Sequence, residues 1–301
     1  MGAWITVLPV IFPVIAGLCL LPVKFQGRKQ REYWIGTIVV LNAGFALFAM
    51  FSGSAEPFAT LQLSEKLSLK LHIDGLSRIF GTMVSLLWII TTVYAFEYMT
   101  HEGKEDRFFA FFTMTFGVVL GIAFAGNILT MYLFYELLTL VTLPLVMHAM
   151  DNKARHAGKV YILYMMFGAA LAFIGFVFVY CYGTSIDFVP GGVLNPVLIN
   201  GHETTLQIVF VAAFFGYGVK AAIFPFYRWL PKASVAPTPV TALLHAVAVV
   251  KSGAFAIIRL IYYSFGTSFL VGTWAQNMML ATAAVTIVFG SVVALRTPHI
   301  K

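Results

Sequence analysis

Charge is scarce in this sequence. Asp, Glu, Lys and Arg together make up 10% of 301 residues, where a soluble domain carries about a quarter. That scarcity argues against a soluble globular chain, which would need nearly every helix to be apolar all round. Cysteine is scarcer still: Cys19 and Cys181 both sit in apolar runs and share no CxxC spacing. They offer no ligand set for a zinc site or a metal cluster. The sequence also lacks a glycine-rich dinucleotide loop, a convincing pair of haem ligands and any polar stretch long enough to fold as a redox domain, so no cofactor and no metal are expected. The N-terminal run "MGAWITVLPVIFPVIAGLCLLP" has no basic leader and no obvious small-x-small cleavage site. It reads as a first membrane span rather than a cleaved signal.

What the sequence does have is apolar length. Hydrophobic residues fill 60% of the positions, in runs that often reach the roughly 20 residues needed to cross a bilayer. The fold class expected is an all-α, polytopic transmembrane bundle of about nine spans, at residues 3–22, 33–51, 76–97, 108–125, 127–148, 158–182, 205–224, 239–262 and 276–296. Only Ala125, Gly126 and Asn127 join the fourth and fifth, which predicts a tight antiparallel hairpin. The segment "EPFATLQLSEKLSLKLHID" partly alternates and is expected to form a small strand or hairpin. Thirteen of the 19 Lys and Arg residues fall in alternate loops on one side. The positive-inside rule then puts the N-terminus outside and the residue 301 end inside. The net charge of +7 is therefore an orientation signal, and nucleic acid is not an expected partner.

Charges within apolar runs are the candidate functional residues, because an ionisable group in the bilayer is expensive unless paired or hydrated. Glu136 lies mid-span in "NILTMYLFYELLTLVTLPL", with Thr139 and Thr142 at i+3 and i+6. It is a proton-handling carboxylate or, on the plainer reading, a hydrogen-bonded packing residue. Lys220 lies deep in "VAAFFGYGVKAAIFPFYRWLPK". Gly216 and Gly218 before it and Pro225 after it predict a weakened or interrupted helix near 220–232, although a lysine near a helix end can also snorkel to the surface. Lys251 falls about 12 residues into the span at 239–262. His245, six residues earlier, is offset from it by about 9 Å along the axis. The two suit stations on a hydrated route better than one metal site, and His245 could equally be a satisfied packing residue. His148 and Lys153, at the inner end of the fifth span, are a candidate intake point, with helix capping as the alternative for the histidine. Arg259 is expected to be structural. The acidic group Glu97, His101, Glu102, Glu105 and Asp106 is expected to be a solvated loop.

These residues resemble the antiporter-like membrane subunits shared by respiratory complex I (NADH-quinone oxidoreductase), Mrp-type Na+/H+ antiporters and membrane-bound hydrogenases. The stretch that carries the resemblance is "KAAIFPFYRWLPKASVAPTPVTALLHAVAVVKSGAFAIIRL", residues 220–260. It holds a lysine near a broken helix, a Trp-Leu-Pro element at 229–231, and a Pro-Thr-Pro-Val-Thr-Ala-Leu-Leu-His run at 237–245 ahead of a helix rich in small residues. "DGLSRIF" at 74–80 and the helix bearing Glu136 are similar to further family elements. The frequent Asp before the relay lysine is absent.

The resemblance implies inverted five-helix repeats, each built around a discontinuous helix. It divides the chain into N-terminal helices (1–105), a first repeat (106–262) and the start of a second (263–301), so the sequence is expected to be a fragment, a split subunit or a shortened chain. It also implies that Glu136 pairs with Lys220, with His245 and Lys251 as relay stations. The function expected is proton translocation in a redox-driven respiratory or hydrogenase complex at the cell membrane. The implied partners are other membrane subunits and a peripheral redox arm. The alternatives are a Mrp-type component that also moves Na+, and a non-conducting membrane scaffold.

Overall fold

The structure, a computed structural model, describes residues 4–52, 58–64 and 66–298, with only the backbone of 58–60 and 244–246. It is a helical bundle with one small sheet. Helices α1 (Trp4–Leu20) and α2 (Arg28–Phe51) lead to the strands β1 (Phe58–Gln62) and β2 (Ser68–Leu71), which pair antiparallel. Then follow α3 (Gly75–Tyr98), α4 (Glu105–Ala123), α5 (Ile128–Val146), α6 (Asn152–Tyr182), the short α7 (Pro196–Ile199) and α8 (Glu203–Lys220). The chain continues through α9 (Trp229–Ala233), α10 (Thr238–Ala246), α11 (Val249–Arg259), α12 (Thr267–Leu270) and α13 (Trp274–Arg296).

Six of the described helices are long and apolar enough to cross a membrane: α2, α3 with its terminal turn, α4, α5, α6 and α13. Helices satisfy their own backbone hydrogen bonds, which is what makes them tolerable in lipid. Of the other expected spans, α1 has 17 residues and holds Pro9 and Pro13, and α8 has 18. The expected single span at 239–262 is corrected. It is two helices, α10 and α11, broken at Val247 and Ala248, whose N–H groups both donate to Leu243 O. A π-helical turn, Leu260–Phe265, then follows α11.

Side-chain caps fix where several helices begin. The carboxylate of Asp74 accepts from Ser77 N, that of Asp151 from Ala154 N, and Asn127 Oδ1 from Thr130 N, each satisfying a backbone donor that the first turn leaves free. Asn127 also donates to Ser68 O at 2.7 Å. Gly126 N donates to Lys70 O and Phe188 N to Gly126 O. The tight α4–α5 turn is thus held between β2 and the 186–188 segment, at the hairpin end of the bundle. Lys70 Nζ closes on Asp187 there at 2.6 Å.

At the opposite, basic end the acidic loop is exposed at Glu97, His101 and Glu102, and Glu97, Glu105 and Asp106 are also paired. Arg28 meets Glu32 at 2.5 Å and Glu97 at 2.6 Å. The nearly buried Arg31 contacts Glu105 and, at 3.4 Å, Asp106. Helix α4 is central and buried on nearly every side, whereas α13 buries only Ala275 and Thr282. Small residues set the closest crossings, as in other membrane bundles. A Cβ at Gly168 of α6 would lie 2.7 Å from Gly216 O of α8, so no larger residue allows this approach.

Candidate functional site

Helix α8 stops at Lys220 because its last carbonyls turn to other partners. Tyr217 O accepts from Tyr135 Oη at 2.8 Å. Gly218 O accepts from Ile223 N. Val219 O accepts from Trp229 Nε1 at 2.7 Å and from Ala222 N. These contacts satisfy carbonyls that a terminating helix leaves orphaned, and Ala222 takes the left-handed backbone conformation, φ 56°, that turns the chain away. The expected interruption is therefore real, and Lys220 stands at the C-terminal, negative end of the helix dipole, where a cation is favoured.

The Lys220 side chain is 1% exposed. Its ammonium donates to Tyr135 O, lies 3.4 Å above the centroid of the Tyr135 ring, and comes within 3.8 Å of Glu136 Oε1. A carboxylate, a carbonyl, an aromatic face and a helix terminus thus converge on one positive charge. The pairing of Glu136 with Lys220 that the family resemblance implied is present in the geometry. Tyr135, Tyr217 and Trp229 complete the arrangement, and sequence reasoning missed all three. Their only sequence signal was adjacency to Glu136, Lys220 and the Trp-Leu-Pro element, and aromatic residues in apolar helices ordinarily read as packing.

Lys251 lies apart from this pair. It sits in the first turn of α11, just past the second break, with its side chain exposed. Its neighbour Ser252 is fully buried. Gly253 packs so closely on the α8 break that an added Cβ would lie 2.4 Å from Ala221 N. His245 falls within α10, but its side chain lies outside the described residues.

His148 and Lys153 share the basic end and little else. The His148 imidazole is 2% exposed. Its Nε2 lies 3.0 Å from Gly103 O, its ring packs edge-on to Phe108, and its carbonyl accepts from Arg107 at 2.6 Å. Burial holds its pKa below the ordinary histidine value, with the Gly103 hydrogen bond opposing. Lys153 instead lines an open cleft of about 1310 Å³ between α9 and α13, with Tyr227, Leu230, Pro231, Val293 and Thr297 among its walls.

At the hairpin end, Arg259 is 1% exposed. It holds Asp74 in a two-pronged ion pair, at 2.5 and 2.8 Å, and donates to Ser77 Oγ at 3.0 Å. The rings of Tyr263, Phe188 and Phe255 surround its guanidinium at 4.5, 5.0 and 5.1 Å. Partial burial pushes the Asp74 carboxyl up, but Arg259 outweighs it and holds the group below the usual carboxylate range.

The chain is 30% identical over 241 residues to the putative antiporter subunit mnhA2 of Staphylococcus epidermidis, an alignment covering 78% of this chain and 29% of that protein. It is 26% identical over 310 residues to the chloroplastic NAD(P)H-quinone oxidoreductase subunit 5 of Digitalis grandiflora, covering 97% of this chain and 43% of that one. It therefore spans less than half the length of these curated relatives. The fold is shared with a chain of the archaeal membrane-bound sulfane sulfur reductase, at TM-score 0.78 and 22% identity over 98% of this chain and 60% of that one. It is shared also with a chain of the Mrp complex from Dietzia sp., at TM-score 0.79 and 21% identity over 99% of this chain and 31% of that one. Residues 61–109 match the N-terminal family of complex I chain 5. Residues 125–301, which hold the Glu136–Lys220 pair and both helix breaks, match the NADH:quinone oxidoreductase/Mrp antiporter transmembrane family, and it is to this antiporter-like family of membrane subunits that the chain belongs.

Proposed function

We propose that this chain is a proton-translocating subunit of a redox-driven respiratory or hydrogenase complex, with Glu136, Lys220, His245 and Lys251 as relay groups in a repeat spanning 106–262. The observation that carries this reading is the Glu136–Lys220 pair at the end of a broken helix. At 3.8 Å the attraction is worth roughly 4 kcal/mol at an effective dielectric constant of 20. Separating the pair removes that stabilisation from the ammonium, and Lys220 then gives up its proton more readily. Reclosing draws a proton back. Each proton moved exchanges about 2.3 kcal/mol with every 100 mV of membrane potential, so a complex that opens and closes the pair can do work. Redox chemistry belongs to partner subunits. The positive-inside rule sets the basic end, with His148 and Lys153, towards the cytoplasm as the intake side.

The test is proton transport by the assembled complex carrying Glu136→Gln or Lys220→Ala. Transport is expected to fall at least tenfold in each while the complex still assembles. Full transport in both variants overturns the reading in favour of a membrane scaffold.

A second reading, a component of a Na+/H+ antiporter, is supported by the antiporter name of the 30% identical relative and by the shared fold with a Mrp complex chain. Proton flux from proteoliposomes that rises with external Na+ favours it, and flux indifferent to Na+ favours proton translocation alone.

A further inference from the structure

Three hydroxyls follow the Glu136–Lys220 pair towards the basic end, along the seam between α5 and α6. Thr139 and Thr142 lie about 4.5 and 9 Å beyond Glu136 along the helix axis. Both are buried, at 4% and 0% exposure. Tyr161, from α6, is also fully buried and brings its hydroxyl to 2.8 Å from Thr142 Oγ1. The Thr142 hydroxyl donates its one proton back to Leu138 O at 2.6 Å, as helical threonines commonly do, so Tyr161 is the donor to Thr142. Thr139 Oγ1 and Glu136 Oε1 have no hydrogen-bond partner within the protein, although both atoms are buried. A buried hydroxyl and carboxylate oxygen one turn apart form a polar niche that a water molecule can bridge.

Two neighbouring donors are already committed, whereas the buried Tyr217 hydroxyl has no hydrogen-bond partner among the described residues. Tyr135 Oη is held by Tyr217 O, and Trp229 Nε1 by Val219 O. Tyr161 packs against the Trp229 ring at 5.5 Å, which braces it on the short helix that follows the α8 break. The ladder is spread over about 9 Å of axis, so it cannot close around one metal ion at oxygen-coordination distances of roughly 2.0–2.6 Å. It suits a hopping proton.

We infer that Tyr161, Thr142 and Thr139, with intervening water, form the conduit between the basic end and Glu136. The step balances atom by atom. Tyr161 Oη–H passes its proton to Thr142 Oγ1, and the Thr142 proton, turned away from Leu138 O, passes through water to Thr139. Thr139 releases its own proton to the water that bridges it to Glu136, and that water protonates the carboxylate. A hydronium from the basic end returns a proton to Tyr161, so one proton has moved, Glu136 is the neutral acid and every hydroxyl is restored. These are relay hydroxyls, and their role rests on the proposed function.

The test uses the complete complex in proteoliposomes, with proton uptake followed by a pH-sensitive dye under an imposed potassium diffusion potential. Thr139→Val and Tyr161→Phe keep shape and remove only the hydroxyl. Each is expected to slow uptake at least fivefold and to enlarge the solvent deuterium isotope effect, with assembly on native gels unchanged. Thr139→Ser is expected to restore the rate, which a purely packing role for the side chain does not predict. Wild-type uptake and isotope effect in both hydroxyl-free variants, beside a Glu136→Gln control that has lost transport, overturns the conduit and leaves the proposed function standing. Wild-type uptake in Glu136→Gln as well overturns both. As a readout independent of transport, ordered solvent between Thr139 and Glu136 is expected in a high-resolution electron cryomicroscopy map, and close apolar packing there counts against the conduit.

Discussion

Arg259 and Asp74, separated by 185 positions in the chain, are locked in a bidentate ion pair that joins the start of α3 to the end of α11. The carboxylate also caps α3, so one group serves two elements. Removing one partner of a buried pair typically costs about 3–5 kcal/mol because the other charge is stranded. Asp74→Asn is expected to lower the thermal unfolding midpoint of the purified protein clearly. Arg259→Lys is expected to do nearly as much harm, since an ammonium cannot reproduce the planar fork or the stacking against three rings. A midpoint unchanged in both variants removes the structural role assigned to the pair.

Trp229 gives a sharper probe of the first helix break. Trp229→Phe keeps an aromatic ring beside Tyr161 but leaves Val219 O with backbone donors alone, Ala221 N and Ala222 N. The lost hydrogen bond is worth about 1 kcal/mol. A modest loss of stability is expected, measured by thermal melting, together with a larger fall in proton transport, because the carbonyl adjoins Lys220.

Gly253 predicts the opposite balance. A methyl group there meets Ala221 N at 2.4 Å, and backbone cannot swing aside as a flexible side chain can. Gly253→Ala is expected to destabilise by about 1–3 kcal/mol, the usual cost of overpacking. The measurement is the assembled yield and melting midpoint, and wild-type values for both contradict the packing described.

Lys251 is exposed on the bundle surface, so its removal disturbs little packing. Lys251→Gln is expected to leave the melting midpoint within about 1 °C of wild type, as surface substitutions usually do, while lowering proton transport severalfold. Loss of stability without loss of transport counts against its relay role.

His148 predicts a pH dependence. Its folded pKa is depressed by burial, so the unfolded chain binds the proton more tightly. Stability is therefore fully present above the unfolded value of about 6.5 and declines as pH falls from there through the folded value. Melting midpoints measured from about pH 7.5 to 5.5 are expected to drop, and His148→Gln is expected to flatten that slope.

Much of this arrangement was legible in the sequence, for a simple reason. A charge in an apolar run has to be explained, and Glu136 and Lys220 were such charges. Gly216, Gly218 and Pro225 announced the first break, and Pro239 announced the start of α10, where it occupies the first turn. The second break was not legible. It falls in a run of Ala and Val with no glycine or proline nearby before Gly253, so nothing in the local sequence announces it. The partner of Arg259 lay 185 residues away, beyond any helical spacing. The sequence offered His148 as an intake point or a helix cap, and its burial was not legible because it depends on Gly103, Arg107 and Phe108, brought in by another part of the chain.

The contact between Gly253 and Ala221 ties together two interrupted helices that run in opposite directions through the bundle. Interrupted helices are the parts of a membrane protein free to bend, yet here no carbon atom fits between them. A displacement that begins at the α8 break meets the α11 backbone at once, before any side chain can absorb it. Mechanically the α8 break and α11 are one unit with two arms, the end of one carrying Lys220 and the start of the other carrying Lys251.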